Sequence, residues 1–134
     1  GGASVTIPLK ETIIPLLDRL SSEAAAIGAV NTVVRTSADE LVGENTDYLG
    51  ILHPVKAALQ RRRSRQRPVD REKMGIVLVV GAGGTARAAA FAARELGLGV
   101  FFWNRSRDKA AKLAAIFNGA HIPCDAEYFA SLDP

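Results

Sequence analysis

Hydrophobic and polar positions follow two different patterns along this chain, and the pattern changes at an arginine-dense stretch, residues 61–73. After that stretch, two continuous apolar runs stand at 75–80 and 100–103. Such runs are typical of parallel strands that are buried on both faces. The apolar spacing at 86–96 and 107–117 predicts helices. Strand, turn, helix and strand within about 30 residues predict the first βαβ unit of a doubly wound sheet.

The pattern before the arginines predicts shorter elements. A β-branched run at 3–7 predicts a strand, and Pro8 with the apolar spacing after it predicts a helix through Leu20, kinked or broken at Pro15. Ser21 is predicted to cap a short helix over 24–27 that ends at Gly28. Three more elements follow: strands at 31–35 and 41–43, and a helix from Asp47 into the arginines.

Composition limits the size and class of the protein. The chain has 134 residues, of which 48% are hydrophobic and 23% charged, enough for one core but too few residues for two complete domains. No apolar run approaches the roughly 18 residues that span a bilayer, and the start lacks a signal-peptide pattern. We therefore expect a cytoplasmic protein with no membrane partner. Cys124, His53 and His121 form no metal-ligand motif, so no metal is predicted.

The positive charge is concentrated in one segment. The whole chain carries a net charge of +3, but residues 61–73 alone have seven basic and two acidic side chains, so the remainder is slightly acidic. A polar, proline-containing stretch of this kind predicts a solvated helix end that continues into a linker. Nucleic-acid contact is the alternative, but no aromatic residues interleave the arginines, and we expect no nucleic-acid partner.

A glycine-rich turn follows the first buried strand. Gly81, Gly83 and Ala86 match G-x-G-x-x-A, and the pattern opens a helix, so backbone N–H groups and the positive helix end would face a pyrophosphate. The first glycine permits the tight turn, the second leaves room for phosphate, and the alanine keeps the helix close to the sheet. A glycine-rich turn without a ligand is the alternative. The predicted cofactor-binding residues of this turn are Gly81, Ala82, Gly83, Gly84, Thr85 and Ala86.

The end of the second apolar run indicates which cofactor the turn would hold. An NAD site would place an acidic residue there, about 20 residues after the glycines, to bind the ribose hydroxyls. Asn104, Arg105 and Ser106 stand at that place instead. A guanidinium can bind a 2′-phosphate through charge-assisted hydrogen bonds, so NADP is favoured over NAD. Lys109 is either a second cation for that phosphate or an ordinary surface lysine.

Lys10 and Asp47 are the candidate catalytic residues. Lys10 follows a predicted strand at the start of a predicted helix, where the positive helix end disfavours a cation, and this placement suggests a function. Beside Asp47, its ammonium group could serve a carbonyl that is reduced to an alcohol. A surface lysine and a helix-capping aspartate are the alternative, and spacing alone does not choose between them.

Five segments, SVTIPLK, AIGAVNT, GENTDYLG, GAGGTARAA and NRS, occur in this order over nearly the whole chain. Together they closely resemble shikimate dehydrogenase. The segments GGASVTIPLK and IIPLLD are most similar to the shikimate dehydrogenase region of the pentafunctional aromatic-pathway polypeptide of fungi and related eukaryotes. That resemblance implies that neighbouring aromatic-pathway domains could share the polypeptide.

The resemblance implies an activity and a role for each matching residue. The implied reaction is the reversible, NADPH-dependent reduction of 3-dehydroshikimate to shikimate, with Lys10 and Asp47 as the catalytic pair. Asn31 would hold substrate hydroxyls, and Thr6 would line the same pocket. Asn45 would be a supporting neighbour of these residues. The glycine turn would bind the cofactor diphosphate. The adenosine 2′-phosphate would be bound by Asn104, Arg105, Ser106 and Lys109.

The resemblance also implies an α/β fold in two parts. Residues 1–60 would be the C-terminal part of a substrate-binding domain, 61–73 a basic linker or insertion, and 74–134 the first part of a Rossmann NADP-binding domain. Family members are about twice as long, so we expect a partial chain that is inactive alone. Two alternatives remain: a quinate/shikimate dehydrogenase, and a non-catalytic module similar to the quinate-pathway repressors.

Overall fold

Two β-sheets, one in each part of the chain, organise the computed structural model, which describes residues 1–65 and 75–123. Residues 66–73 of the predicted linker, and Cys124, lie outside the described residues. Residues 61–65 continue the preceding helix, as the sequence predicts. None of the helices within the described ranges combines the length and the apolar character that crossing a membrane requires.

The first sheet has four strands and mixed direction. Its part of the chain contains, in order, β1 (Gly2–Ser4), a 3-10 helix (Ile14–Leu16), β2 (Arg19–Leu20), α1 (Ser22–Ile27), β3 (Thr32–Arg35), β4 (Leu41–Glu44) and α2 (Asp47–Arg65). The strand order is β1-β3-β4-β2, and only the β4-β2 pair is parallel. The predicted capping of α1 is confirmed, because the Ser21 hydroxyl accepts the Ala24 N–H at 3.1 Å and Gly28 ends the helix at a φ of 70°.

The predicted helix from Pro8 to Leu20 is wrong. This stretch forms turns, the short 3-10 helix and β2. Pro15 explains the difference, because it lacks the N–H that a helix would bond to the carbonyl of Glu11 and its ring would crowd that carbonyl. The apolar residues still reach the core through Leu17, whereas Leu16 is 73% exposed.

The second sheet is wholly parallel, and its predicted βαβ unit is confirmed. Its part of the chain contains β5 (Ile76–Val80), α3 (Gly84–Glu95), β6 (Gly99–Trp103), α4 (Arg107–Ile116) and β7 (Ala120–His121). The strands lie in the order β5-β6-β7. The core between sheet and helices is apolar and nearly closed to solvent, with Phe102 at 0% and Leu113 at 2% exposure.

The prediction that the first apolar run is buried on both faces is wrong for the described residues. Val79 faces α3 and the core, but Ile76, Leu78 and Val80 on the opposite face are 68%, 45% and 67% exposed. Alternate residues of a strand point to opposite faces, and no element within 1–65 or 75–123 covers the second face.

Helix α3 connects the two parts of the structure. Ile27, Ala29 and Ala88 are all 0% exposed and form one cluster. Beside it, the rings of Tyr48 and Phe91 meet edge to face at 5.2 Å. Because α3 begins at the glycine turn, this packing fixes the turn against the part of the chain that carries Lys10 and Asp47.

This junction predicts a stability change. The substitution Ala88→Leu should lower the free energy of unfolding of the intact protein by about 1–3 kcal/mol, because the fully buried site has no room for the extra carbons. Ala115 lies exposed on α4, and Ala115→Leu should change that free energy by less than about 0.5 kcal/mol. Denaturant titration measures both values, and equal stability of the two variants would contradict the close packing.

Candidate functional site

Lys10 and Asp47 form an ion pair across 37 positions of sequence. The Lys10 Nζ lies 2.6 Å from the Asp47 Oδ2, and the two side chains are 12% and 25% exposed. Asp47 is the first residue of α2, whereas Lys10 lies in the turn after β1 and begins no helix. The prediction that Lys10 stands at the start of a helix is therefore wrong. Its backbone is held instead by the Val30 N–H, which its carbonyl accepts at 2.7 Å.

Asn31 holds the other oxygen of the same carboxylate. Its Nδ2 donates to the Asp47 Oδ1 at 2.8 Å, and its Oδ1 accepts the Thr46 N–H at 2.8 Å. The carboxylate is thus bonded on both oxygens, which fixes its plane as well as its position. Thr6 is exposed, and the N–H of the preceding Val5 bonds to the Asn31 carbonyl at 2.7 Å.

Asn45 fixes the backbone beneath the ion pair. It is 4% exposed, its Nδ2 donates to the Ala29 carbonyl at 2.9 Å, and its Oδ1 accepts the Asp47 N–H at 3.0 Å. A buried amide that bonds in both directions joins the start of α2 to the segment between α1 and β3. Lys10, Asn31, Asn45 and Asp47 therefore form one bonded cluster.

A crevice of about 380 Å³ opens beside Lys10. It brings together residues that lie far apart in sequence: Ile7, Pro8, Lys10, Glu11, Ala82, Gly83, Gly84, Asn104, Arg105, Ser106 and Lys109. Three of its side chains are basic and one is acidic, a balance that favours an anion. Within the described ranges, no group of three His, Cys, Asp or Glu side chains is arranged to hold a metal ion.

The glycine turn has the backbone that the sequence pattern requires. Gly81 has a φ of 119°, a left-handed conformation that favours glycine, and its N–H bonds to the Trp103 carbonyl at 2.8 Å. Among residues 1–65 and 75–123, apart from Gly83 and its two chain neighbours, no atom lies within 4 Å of where a Cβ of Gly83 would stand, so the space in front of the turn is open. Not every residue of the turn lines this crevice. Gly81, Thr85 and Ala86 line a second, more apolar cavity of about 420 Å³, to which Gly83 and Gly84 also contribute.

Gly84 lies directly against the lysine. A Cβ at this position would stand 3.1 Å from the Lys10 Cβ and 3.2 Å from its Cδ. Glycine therefore lets the first turn of α3 approach the stem of Lys10 while its Nζ reaches Asp47. The predicted cofactor turn therefore contacts the predicted catalytic lysine at Gly84.

The residues after β6 face the same crevice. Arg105 and Lys109 both line it, and the Asn104 Nδ2 donates to the Ser106 carbonyl at 3.0 Å, which shapes the loop before α4. Lys109 is exposed and lines the crevice together with residues of the glycine turn, and its role stays a prediction.

Two charged residues were not predicted from the sequence: Glu11, which lines the crevice, and Arg87, which contacts Glu11 from outside the lining. The Arg87 Nη2 lies 3.1 Å from the Glu11 Oε2, and Glu11 lines the crevice next to Lys10. Arg87 stands in the first turn of α3, where a cation is electrostatically unfavourable. This signal could have identified Arg87 in the sequence.

The chain matches the family model described as the shikimate dehydrogenase substrate binding domain over residues 1–33. It is 43% identical over 132 residues to the pentafunctional AROM polypeptide of Pneumocystis carinii, covering 96% of this chain and 8% of that protein. It is 44% identical over 116 residues to shikimate dehydrogenase (NADP(+)) of Aquifex aeolicus, covering 87% and 39%. The chain is thus similar in sequence to shikimate dehydrogenases over most of its own length.

A solved structure agrees with this relationship. Shikimate 5-dehydrogenase of Thermus thermophilus, in complex with NADP(H) and shikimate, superposes with a TM-score of 0.72 at 43% identity, covering 91% of this chain and 42% of that one. The resemblance and the mixed α/β fold predicted from the sequence are confirmed. The chain spans less than half the length of these relatives, and the roles of individual residues stay predictions.

The buried amide of this cluster predicts a second stability change. Asn45→Ala should lower the free energy of unfolding by about 1–3 kcal/mol, because the Ala29 carbonyl and the Asp47 N–H would both lose their partner. Thr12→Ala removes an exposed hydrogen bond to the Leu9 carbonyl and should cost less than about 0.5 kcal/mol. Denaturant titration of the intact protein measures the free energy of unfolding of both variants. An equal loss in the two would contradict the role of Asn45 in holding this backbone.

Proposed function

We propose that this chain is part of an NADP-dependent shikimate dehydrogenase that reversibly reduces 3-dehydroshikimate to shikimate. The observation that carries the proposal is the position of Lys10, which is paired with Asp47 at 2.6 Å and lines the same crevice as Gly83 and Arg105. The names of the Aquifex and Thermus relatives support both the substrate and the cofactor.

We propose that two domains share this work. Residues 1–60 would belong to the substrate-binding domain, 61–73 would link the domains, and 74–134 would begin the cofactor-binding domain. Neighbouring aromatic-pathway domains in the same polypeptide, as in the Pneumocystis relative, would be its partners. A cytoplasmic location stays a prediction.

The crevice fits a phosphorylated dinucleotide. Gly83 leaves open space before the N-terminus of α3, and Arg105 and Lys109, which line the same crevice, supply positive charge. The turn would hold the diphosphate, and Asn104, Arg105, Ser106 and Lys109 would hold the 2′-phosphate. When bound, NADPH supplies the hydride.

The residues of the bonded cluster provide the proton and the orientation. The Lys10 ammonium would stabilise the negative charge that develops on the substrate oxygen and donate a proton to it. Asp47 would keep the Lys10 Nζ in place and accept a hydrogen bond from a substrate hydroxyl. Asn31 would bind substrate hydroxyls, and exposed Thr6 would line the pocket beside it.

The catalytic role of Lys10 is testable in the intact protein. Lys10→Ala should lower kcat by about 10²–10⁴-fold, because the proton donor is lost, while the Kd for NADPH stays near that of the wild type. Lys56→Ala, which removes an exposed lysine of α2, should leave both values unchanged. Steady-state kinetics with shikimate and quinate, each with NADP and NAD, measures the effect.

Each possible outcome of this assay has a definite meaning. A wild-type rate that Lys10→Ala does not change would remove Lys10 from the mechanism. A preference for quinate with NAD would overturn the substrate and cofactor assignment. A wild type that binds ligands without turnover would favour the non-catalytic module.

The cofactor assignment has its own test. Arg105→Ala should raise the Kd for NADPH by about 10–100-fold and leave that for NADH nearly unchanged, because only NADPH carries the 2′-phosphate. The matched control is Arg94→Ala, an exposed arginine of α3 that does not line the crevice. Fluorescence titration measures both constants, and an equal loss for both cofactors would contradict the assignment.

A further inference from the structure

A carboxylate lines the crevice in which the cofactor phosphates are proposed to bind. Glu11 is the acidic residue among the crevice-lining side chains, which also include Arg105 and Lys109. A negative charge in the same crevice as a diphosphate is unfavourable even through solvent. Its presence requires a compensating group.

Arg87 is that group, and it is held from two directions. Its Nη2 contacts the Glu11 Oε2 at 3.1 Å, and its Nη1 donates to the Ile27 carbonyl at 3.5 Å, at the end of α1. A Cβ at Gly28 would stand 3.0 Å from the same Nη1, so the guanidinium packs closely against the end of α1. The Arg87 side chain is 18% exposed and that of Glu11 is 44% exposed.

The arrangement has an energetic cost. The Arg87 Nε is buried and has no hydrogen-bond partner among the described residues, and the first turn of α3 is unfavourable for a cation. The bond to the Ile27 carbonyl would be enough to hold α3 against α1, and the contact with Glu11 is additional to it. Arg87 also does not appear among the residues that line the crevice, whereas Glu11 does.

We propose that Arg87 is a positioning residue that neutralises Glu11 and so keeps the crevice electropositive for the cofactor diphosphate. This inference rests on the proposed function. Arg87 acts through Glu11 and does not itself bind phosphate. The pair also joins α3 to the turn that carries Lys10, so the same contact bears on cofactor affinity and on the position of the lysine.

The test is a double-mutant cycle in the intact protein, with the Kd for NADPH measured by fluorescence titration. Arg87→Met should weaken binding by about 3–30-fold at low salt, because Glu11 is left unpaired before the phosphates. The defect should shrink as ionic strength rises, because salt screens the repulsion. Adding Glu11→Gln to Arg87→Met should restore most of the affinity, and Arg87→Lys should retain it.

If Arg87→Met does not fold, a second variant tests the proposal, and a third serves as the control. Glu11→Gln alone should bind NADPH as tightly as the wild type or more tightly, because a negative charge has been removed. Arg19→Met breaks the exposed Arg19–Glu40 pair outside the crevice and should leave the Kd unchanged. Thermal unfolding of each variant checks that it is folded.

The outcomes separate this inference from the proposed function. A wild type that does not bind NADPH would reject the cofactor assignment itself. A wild type that binds, with Glu11→Gln weaker than the wild type or with no rescue of Arg87→Met by Glu11→Gln, would overturn the role of Arg87. Absence of rescue would mean that Arg87 contacts phosphate directly or only supports the fold.

Discussion

The ion pair between Lys10 and Asp47 is the interaction on which the rest of the site depends. A partly buried ammonium and a partly buried carboxylate are stable only when each has a partner, so the two segments that carry them must be placed accurately. Asn31 and Asn45 supply that accuracy through the carboxylate and the backbone of Asp47. The pair is thus the product of one bonded network.

The contact between the two parts of the chain places this network beside the glycine turn. Helix α3 packs through Ala88 against Ile27 and Ala29, and its first residue, Gly84, touches the stem of Lys10. The small residues Gly84, Ala29 and Ala88 let the glycine turn approach the lysine closely. A crevice lined by both the turn and the lysine follows directly from this close packing.

Local chemistry explains what could be predicted from the sequence. The capped helix α1, the β3-β4 hairpin and the βαβ unit are each specified by signals within a few residues: Ser21 and Gly28, a polar connection, and a glycine turn between apolar runs. The helix from Pro8 to Leu20, predicted with a kink or break at Pro15, was wrong on both sides of that proline, because apolar spacing typical of a helix does not by itself form one. The exposed face of β5 was also missed, since burial depends on what packs against a strand.

The sequence by itself determined the chemistry of the site: the residue types, the glycine pattern and the basic residues after β6. Only the tertiary structure decided that Lys10 meets Asp47, that Lys109 faces the crevice, and that Glu11 and Arg87 form a pair there. The physical reason is that backbone signals act over a few residues. Contacts between residues tens of positions apart depend instead on how helices and sheets pack, which no local pattern specifies.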